Sequence, residues 1–222
     1  MLTLAIDTST NILSVALMRE GVVLANHNAT TKNNQSEILM SRIECMMMEC
    51  RLKPTDLKRL AVAVGPGSYT GVRVGVVTAK SLAYALNISV VGVSSLEIMA
   101  RLALAESSMN NDKVDVIVPM IDARRGTVFA GCYDAAGKNL ITEGHYTLGD
   151  FLKGLWEKKS IIYIGDHSLG AKEPWIVHEG AYKGSKAVVL AALATNASPH
   201  KNIHTFVPNY LRKTEAELRA NV

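Results

Sequence analysis

Gly65-Pro66-Gly67-Ser68-Tyr69-Thr70-Gly71-Val72-Arg73-Val74-Gly75 is the stretch on which the reading of this chain turns. It follows an apolar run, Leu60-Ala61-Val62-Ala63-Val64, and leads into an apolar helical pattern that reaches about Leu86. Strand, glycine-rich turn, helix is the order that aims backbone N–H groups and a helix N-terminus at an anion. Glycine also admits close backbone approach to a ligand or a second helix, where a Cβ would collide. The spacing is not GxxxxGK[ST], so no phosphate-cradling lysine is present. Nor is it GxGxxG, because Gly67 to Gly71 is one residue too long. Within the helix expected from about Thr70, Gly71, Gly75, Ala79 and Ala83 recur at intervals of four. Small side chains on one stripe let a neighbouring helix come near.

Upstream of the glycine run, Leu2 to Ile6 and Leu13 to Met18 read as strands, and Val22-Val23-Leu24-Ala25 as a third after the turn at Glu20-Gly21. The first turn of this meander, Asp7-Thr8-Ser9-Thr10-Asn11, carries a carboxylate and three hydroxyls. A helix is expected over 34–53, with Asn34 and Glu37 as a capping box and Pro54 as its stop. Its stripe of Leu39, Ile43, Met46 and Cys50 is that of an ordinary packed helix, while Met40, Met47 and Met48 lie outside it. Methionines beyond the stripe suit either a doubly buried helix or an adaptable partner surface.

Downstream, Ser89 to Val93 is a strand, and Ser94 or Ser95 caps a helix to about Ala105. The polar stretch 106–113 reads as a linker. Strands follow at Val114 to Ile121, Thr127 to Tyr133 and Asn139 to Tyr146. An amphipathic helix over 148–158, a strand at Ile161 to Ile164 and an Ala/Val/Leu helix from Ser185 to Thr195 complete the pattern. The order of elements in the second half repeats that of the first, which argues for an α/β fold of two similar halves.

The 222 residues allow one large domain or two small ones around real cores, and 48% hydrophobic with 20% charged residues excludes a disordered chain. A net charge of +4, without any Lys/Arg-dense stripe, does not argue for nucleic-acid binding. Cys45, Cys50 and Cys132 make neither a zinc spacing nor a disulfide framework. The opening residues lack a basic n-region, and no apolar stretch reaches the ~20 residues needed to span a bilayer. A cytoplasmic protein without membrane contact is expected.

The opening Leu4-Ala5-Ile6-Asp7-Thr8-Ser9-Thr10, the following Ser14-Val15-Ala16-Leu17 and the glycine run resemble the bacterial TsaB (YeaZ) family. So do Val90-Val91-Gly92-Val93-Ser94-Ser95-Leu96, Ile121-Asp122-Ala123-Arg124-Arg125-Gly126 and Pro208-Asn209-Tyr210-Leu211-Arg212. Thr127 departs from the pattern, since relatives more often carry an acidic residue there. The resemblance implies an actin-like ATPase (ASKHA, ribonuclease H-like) fold of two related lobes, an N-terminal one over 1–105 carrying the partner helices and a smaller one over 106–222. It implies a dimerisation subunit of the machinery that makes N6-threonylcarbamoyladenosine at position 37 of tRNA, paired with the transferase TsaD and completed by the ATPase TsaE. A homodimer is expected when the chain is alone, with tRNA reached mainly through the complex.

The Met-rich helix over 34–53 and the small-residue stripe of the next helix give the pairing with TsaD its expected place. Leu39, Ile43, Met46, Met47, Gly71, Val72, Gly75, Val76, Ala79 and Ala83 are expected at the partner interface. Asp7, Thr8, Ser9, Gly65 and Gly67 stand where actin-like ATPases hold phosphate and magnesium. They imply a vestigial site with weak ATP or ADP binding and no tightly bound cofactor. Gly165-Asp166-His167-Ser168-Leu169-Gly170 is a poor version of a second nucleotide loop. Where the related transferase carries two metal-binding histidines four apart on a helix, this chain has Ser95 and Met99, which cannot replace imidazoles. His200 and His204 are the nearest substitute by spacing and sit in a polar segment. No catalytic residue and no metal are therefore expected. The alternative is a stand-alone actin-like ATPase or kinase, or an M22-type metallopeptidase.

Overall fold

A computed structural model describes residues 1–31, 34–110, 114–155, 161–165, 175–177 and 185–212. The chain forms two units, one from Met1–Ile98 with Lys183–Pro208 and one from Met99–Tyr182 with Asn209–Val222.

The first unit opens with β1 (Leu2–Asp7), β2 (Ile12–Arg19) and β3 (Val22–Thr30), the expected meander, paired antiparallel. Helix α1 (Gln35–Glu49), β4 (Arg59–Ala63), α2 (Tyr69–Leu86) and β5 (Ser89–Val93) follow, and the sheet order is β3-β2-β1-β4-β5 with β1, β4 and β5 parallel. Successive side chains on a strand point to opposite faces. Leu4, Ile6, Val15, Leu17, Leu60 and Val62 thus pack with α1 and α2. Ala5, Ala16, Ala61 and Ala63 face the other way, against α5 (Lys186–Asn196). Both faces are covered, which is why these strands read as nearly unbroken apolar runs.

The second unit repeats the plan. β6 (Val116–Asp122), β7 (Thr127–Asp134) and β8 (Asn139–Thr147) form the meander. After α4 (Leu148–Lys153), β9 (Ile161–Gly165) and β10 (Trp175–Val177) run parallel to β6, giving the order β10-β9-β6-β7-β8. Counted from the first strand of each unit, the two sheets have the same strand order. This is the two-lobed actin-like α/β architecture that the resemblance implies. Val118, Met120, Val128, Cys132, Phe151 and Tyr163 build the second core.

Several expectations change. Residues 106–222 do not all belong to one lobe, because α5 lies on β1 and β2 of the first sheet. Helix α3 (Ser95–Asn110) runs through much of the expected linker and past residue 105, crossing from the first unit to the second. Strand β10 falls in a region where no strand was expected. Helix α1 ends at Glu49, ahead of the expected 53. Arg51 takes a left-handed φ of 54° while the Arg51 and Leu52 N–H groups return to the Met48 and Met47 carbonyls, closing the helix before Pro54 is reached. Asn34 precedes α1 but makes no side-chain cap, so the expected capping box does not form. The expected second nucleotide loop at 166–170, Trp156 and the end of the linker at 111–113 lie outside the described residues.

Candidate functional site

The glycine run meets the aspartate turn directly. Ser68 caps α2 by accepting the Gly71 N–H at 3.2 Å, and its own N–H donates to the Ser9 carbonyl at 2.8 Å. The Thr8 hydroxyl donates to the Gly71 carbonyl at 2.7 Å. A Cβ on Gly71 would stand 2.1 Å from the Thr8 carbonyl oxygen, and one on Gly75 would stand 2.4 Å from the Thr8 hydroxyl. Gly67 packs equally close to the Ser9 backbone. At these positions glycine serves the approach of α2 to the turn after β1. The Gly65 carbonyl accepts the Ser95 N–H at 2.9 Å, so the start of the run also holds the start of α3.

Asp7, Thr8 and Ser9 are fully buried. Asp7 Oδ1 accepts from the Ser9 N–H at 2.8 Å and from the Ser9 hydroxyl at 2.7 Å. Asp7 Oδ2 is buried with no hydrogen-bond partner among the described residues. Lys186, the first residue of α5, is also buried, and its ammonium donates to Thr10 Oγ1 at 3.0 Å. Burial pushes the Lys186 ammonium below its usual range, and the charge of Asp7 opposes that shift. Ser14 on β2 accepts the Ala187 N–H at 3.2 Å and donates to Asn28 Oδ1, supplying the cap that Ser185 does not make for α5. The residues expected to hold nucleotide thus come together, and apart from Asp7 Oδ2 their side-chain polar atoms bond within their own chain. The space beside the Ser9 backbone is filled by the glycine run.

Lys186 carries the site's second charge and was not singled out from the sequence. The signal was present, because it is the one charged residue of α5 and sits at a helix N-terminus, where the dipole disfavours a cation.

Ser95 and Met99 are buried, and the Ser95 hydroxyl has no hydrogen-bond partner among the described residues. His200 contacts the Thr205 hydroxyl at 3.1 Å and stacks edge-on to Phe206, whereas His204 meets the Tyr84 ring. Among the described residues, no three His, Cys, Asp or Glu side chains gather as they would around a metal ion. Thr127, the departure from the family pattern, donates to the Arg124 carbonyl at 2.8 Å and contacts His145 Nε2 at 2.8 Å, bracing the β6–β7 turn.

The residues expected at a partner interface are placed elsewhere. Leu39, Ile43, Met46, Met47, Gly71, Val72, Gly75, Val76, Ala79 and Ala83 are all buried within the first unit. This is a correction with a simple cause. Helical periodicity marks the apolar stripe, and here the stripe faces the chain's own sheet. The outward faces of α1 and α2 carry other large side chains: Met40 (49% exposed), Met48 (71%), Val77 (60%) and Tyr84 (67%). Arg73 covers the Tyr69 ring at 3.9 Å on the same face of α2.

Residues 23–175 match the family model described as "TsaD: tRNA N6-adenosine threonylcarbamoyltransferase". The chain is 35% identical to the tRNA threonylcarbamoyladenosine biosynthesis protein TsaB of Bacillus subtilis, over 97% of this chain and 96% of that protein. The Escherichia coli protein of the same name is 35% identical over 126 residues, 57% of this chain and 52% of the relative. Among solved structures, YeaZ from Pseudomonas aeruginosa superposes with a TM-score of 0.72 at 23% identity, covering 95% of this chain and 99% of that one, which speaks for the fold. No described helix is long and apolar enough to cross a membrane. With identity to the Bacillus protein running nearly end to end, the chain belongs to the TsaB (YeaZ) family and has a role in tRNA threonylcarbamoyladenosine biosynthesis.

Proposed function

We propose that this chain is a non-catalytic scaffold subunit that pairs with TsaD in the complex forming N6-threonylcarbamoyladenosine on tRNA. The observation that carries the reading is the pair of outward helix faces on α1 and α2, where Met40, Met48, Val77 and Tyr84 stand in solvent. Methionine and tyrosine are adaptable, amphipathic contact residues, and interface energy concentrates in a few such anchors. Ser95 and Met99, standing where the related transferase is expected to hold a metal with imidazoles, support a role without chemistry of its own. TsaE joins the complex, tRNA is contacted mainly through the partner, and the same helix faces support a homodimer when TsaD is absent.

The test is co-purification of TsaD with the parent chain and with a Met48→Asp/Tyr84→Asp variant. Both substitutions fall on exposed positions, so the variant keeps its parent's circular dichroism while losing TsaD. Undiminished recovery of TsaD by the folded variant refutes the assignment of these faces.

A further inference from the structure

An ionised carboxylate buried without a counter-charge costs several kcal/mol in lost hydration. Asp7 is such a group. It is fully buried, one oxygen is held by Ser9, and the other has no hydrogen-bond partner among the described residues. In a nucleotide-binding member of this fold, magnesium and phosphate would stand at this turn. Here the residues do not fit them, since the Thr8 hydroxyl is spent on the Gly71 carbonyl and the glycine run lies against the Ser9 backbone. The positive charge must come from somewhere else.

We propose that Lys186 is the resident cation of the aspartate turn, supplying from the chain itself the charge that a metal-bound phosphate would bring. Three observations carry it. Lys186 is wholly buried, with its ammonium 3.0 Å from Thr10 Oγ1, three residues beyond Asp7 in the same turn. It is the one charged residue of α5, among the alanine, valine and leucine of that helix, where burying it is costly unless a carboxylate faces it. The α5 N-terminus that delivers it is fixed to the same sheet by the Ala187 N–H on Ser14, which adds the positive end of the helix dipole to the turn. The joint is therefore closed in charge, with no bare carboxylate left for a magnesium–nucleotide complex to bind.

Two measurements test this on the full chain. Thermal unfolding is followed for the parent, Lys186→Met, Asp7→Asn and the double variant. Lys186→Met leaves the buried Asp7 carboxylate without its cation, Asp7→Asn removes the charge facing Lys186, and each lowers the midpoint by on the order of 10 °C. The double variant is less destabilised than the sum of the two, because each change removes the other's unpaired partner. Calorimetric titration with magnesium–ATP shows no binding to the parent that Asp7→Asn abolishes. Additive single effects overturn the pairing. Binding of magnesium–ATP to the parent that falls tenfold or more in Asp7→Asn overturns the closed joint. If a single variant fails to fold, a folded double variant supports the pairing, an equally unfolded one overturns it, and the titration of the parent decides the second claim.

Discussion

Gly71→Ala puts the contact between α2 and the aspartate turn to a quantitative test. The new Cβ would stand 2.1 Å from the Thr8 carbonyl oxygen and 2.9 Å from Gln35 Oε1. A relaxed C···O contact is about 3.3–3.6 Å, so helix and turn must separate by more than about an ångström. Overpacking of this kind costs about 1–3 kcal/mol. The displacement also stretches the 2.7 Å hydrogen bond from the Thr8 hydroxyl to the Gly71 carbonyl, worth about 0.5–1.5 kcal/mol. Against this stands the helix preference for alanine over glycine, about 1 kcal/mol. The net destabilisation is about 2 kcal/mol, a midpoint lower by about 4–8 °C for a chain of this length. Gly149→Ala is the control, because nothing stands within 4 Å of its new Cβ and the position is helical. It is expected to raise stability by a fraction of a kcal/mol. Far-UV circular dichroism during thermal unfolding reads both variants. Both tryptophans, Trp156 and Trp175, belong to the second unit, so their fluorescence gives a separate trace for comparison. A Gly71→Ala protein as stable as the parent, or stabilised like Gly149→Ala, would refute the close-approach account of the glycine run.

Neighbouring methionines on α1 should behave oppositely. Met47→Asp places a charge among buried Leu and Val side chains and should cost about 4 kcal/mol, whereas Met48→Asp, at a 71% exposed position, should stay within about 0.5 kcal/mol of the parent. Urea denaturation midpoints compare the two, and equal losses would mean the helix orientation is wrong. Acid should weaken the second unit through His145, whose pKa is lowered by burial and by the nearby Arg212 charge. A lowered folded value means the unfolded chain takes up the proton first, so stability falls as pH drops from about 6.5 through the depressed value. His145→Gln should flatten that slope in tryptophan-monitored denaturation between about pH 7.5 and 5.5, and an unchanged slope would exclude the residue as the source.

The meander, the strand–glycine–helix unit and the repeated order of elements were open to sequence reasoning because they are local: period-two alternation, turn residues and a glycine spacing. What stayed hidden is tertiary. Leu39, Ile43, Met46 and Met47 form an apolar stripe whichever surface they meet, and periodicity does not say whether that surface is the chain's own sheet or another protein. Asp7 was found from its turn chemistry. Its proposed counter-charge was not, since Lys186 lies 179 positions downstream and only the fold brings α5 back. The early end of α1 at Glu49 was missed because the closing turn uses a left-handed arginine, Arg51, where glycine is usual.

That return of α5 also orders the birth of the protein. The alanine-lined side of the first sheet is covered by a helix that leaves the ribosome only after the 99–182 segment of the second unit has been translated. Until then the nascent N-terminal body holds an uncovered apolar floor and an aspartate lacking its lysine. Folding of the N-terminal body thus finishes after synthesis of the inserted unit, and a fragment cut at Ile98 keeps its meander and loses its floor.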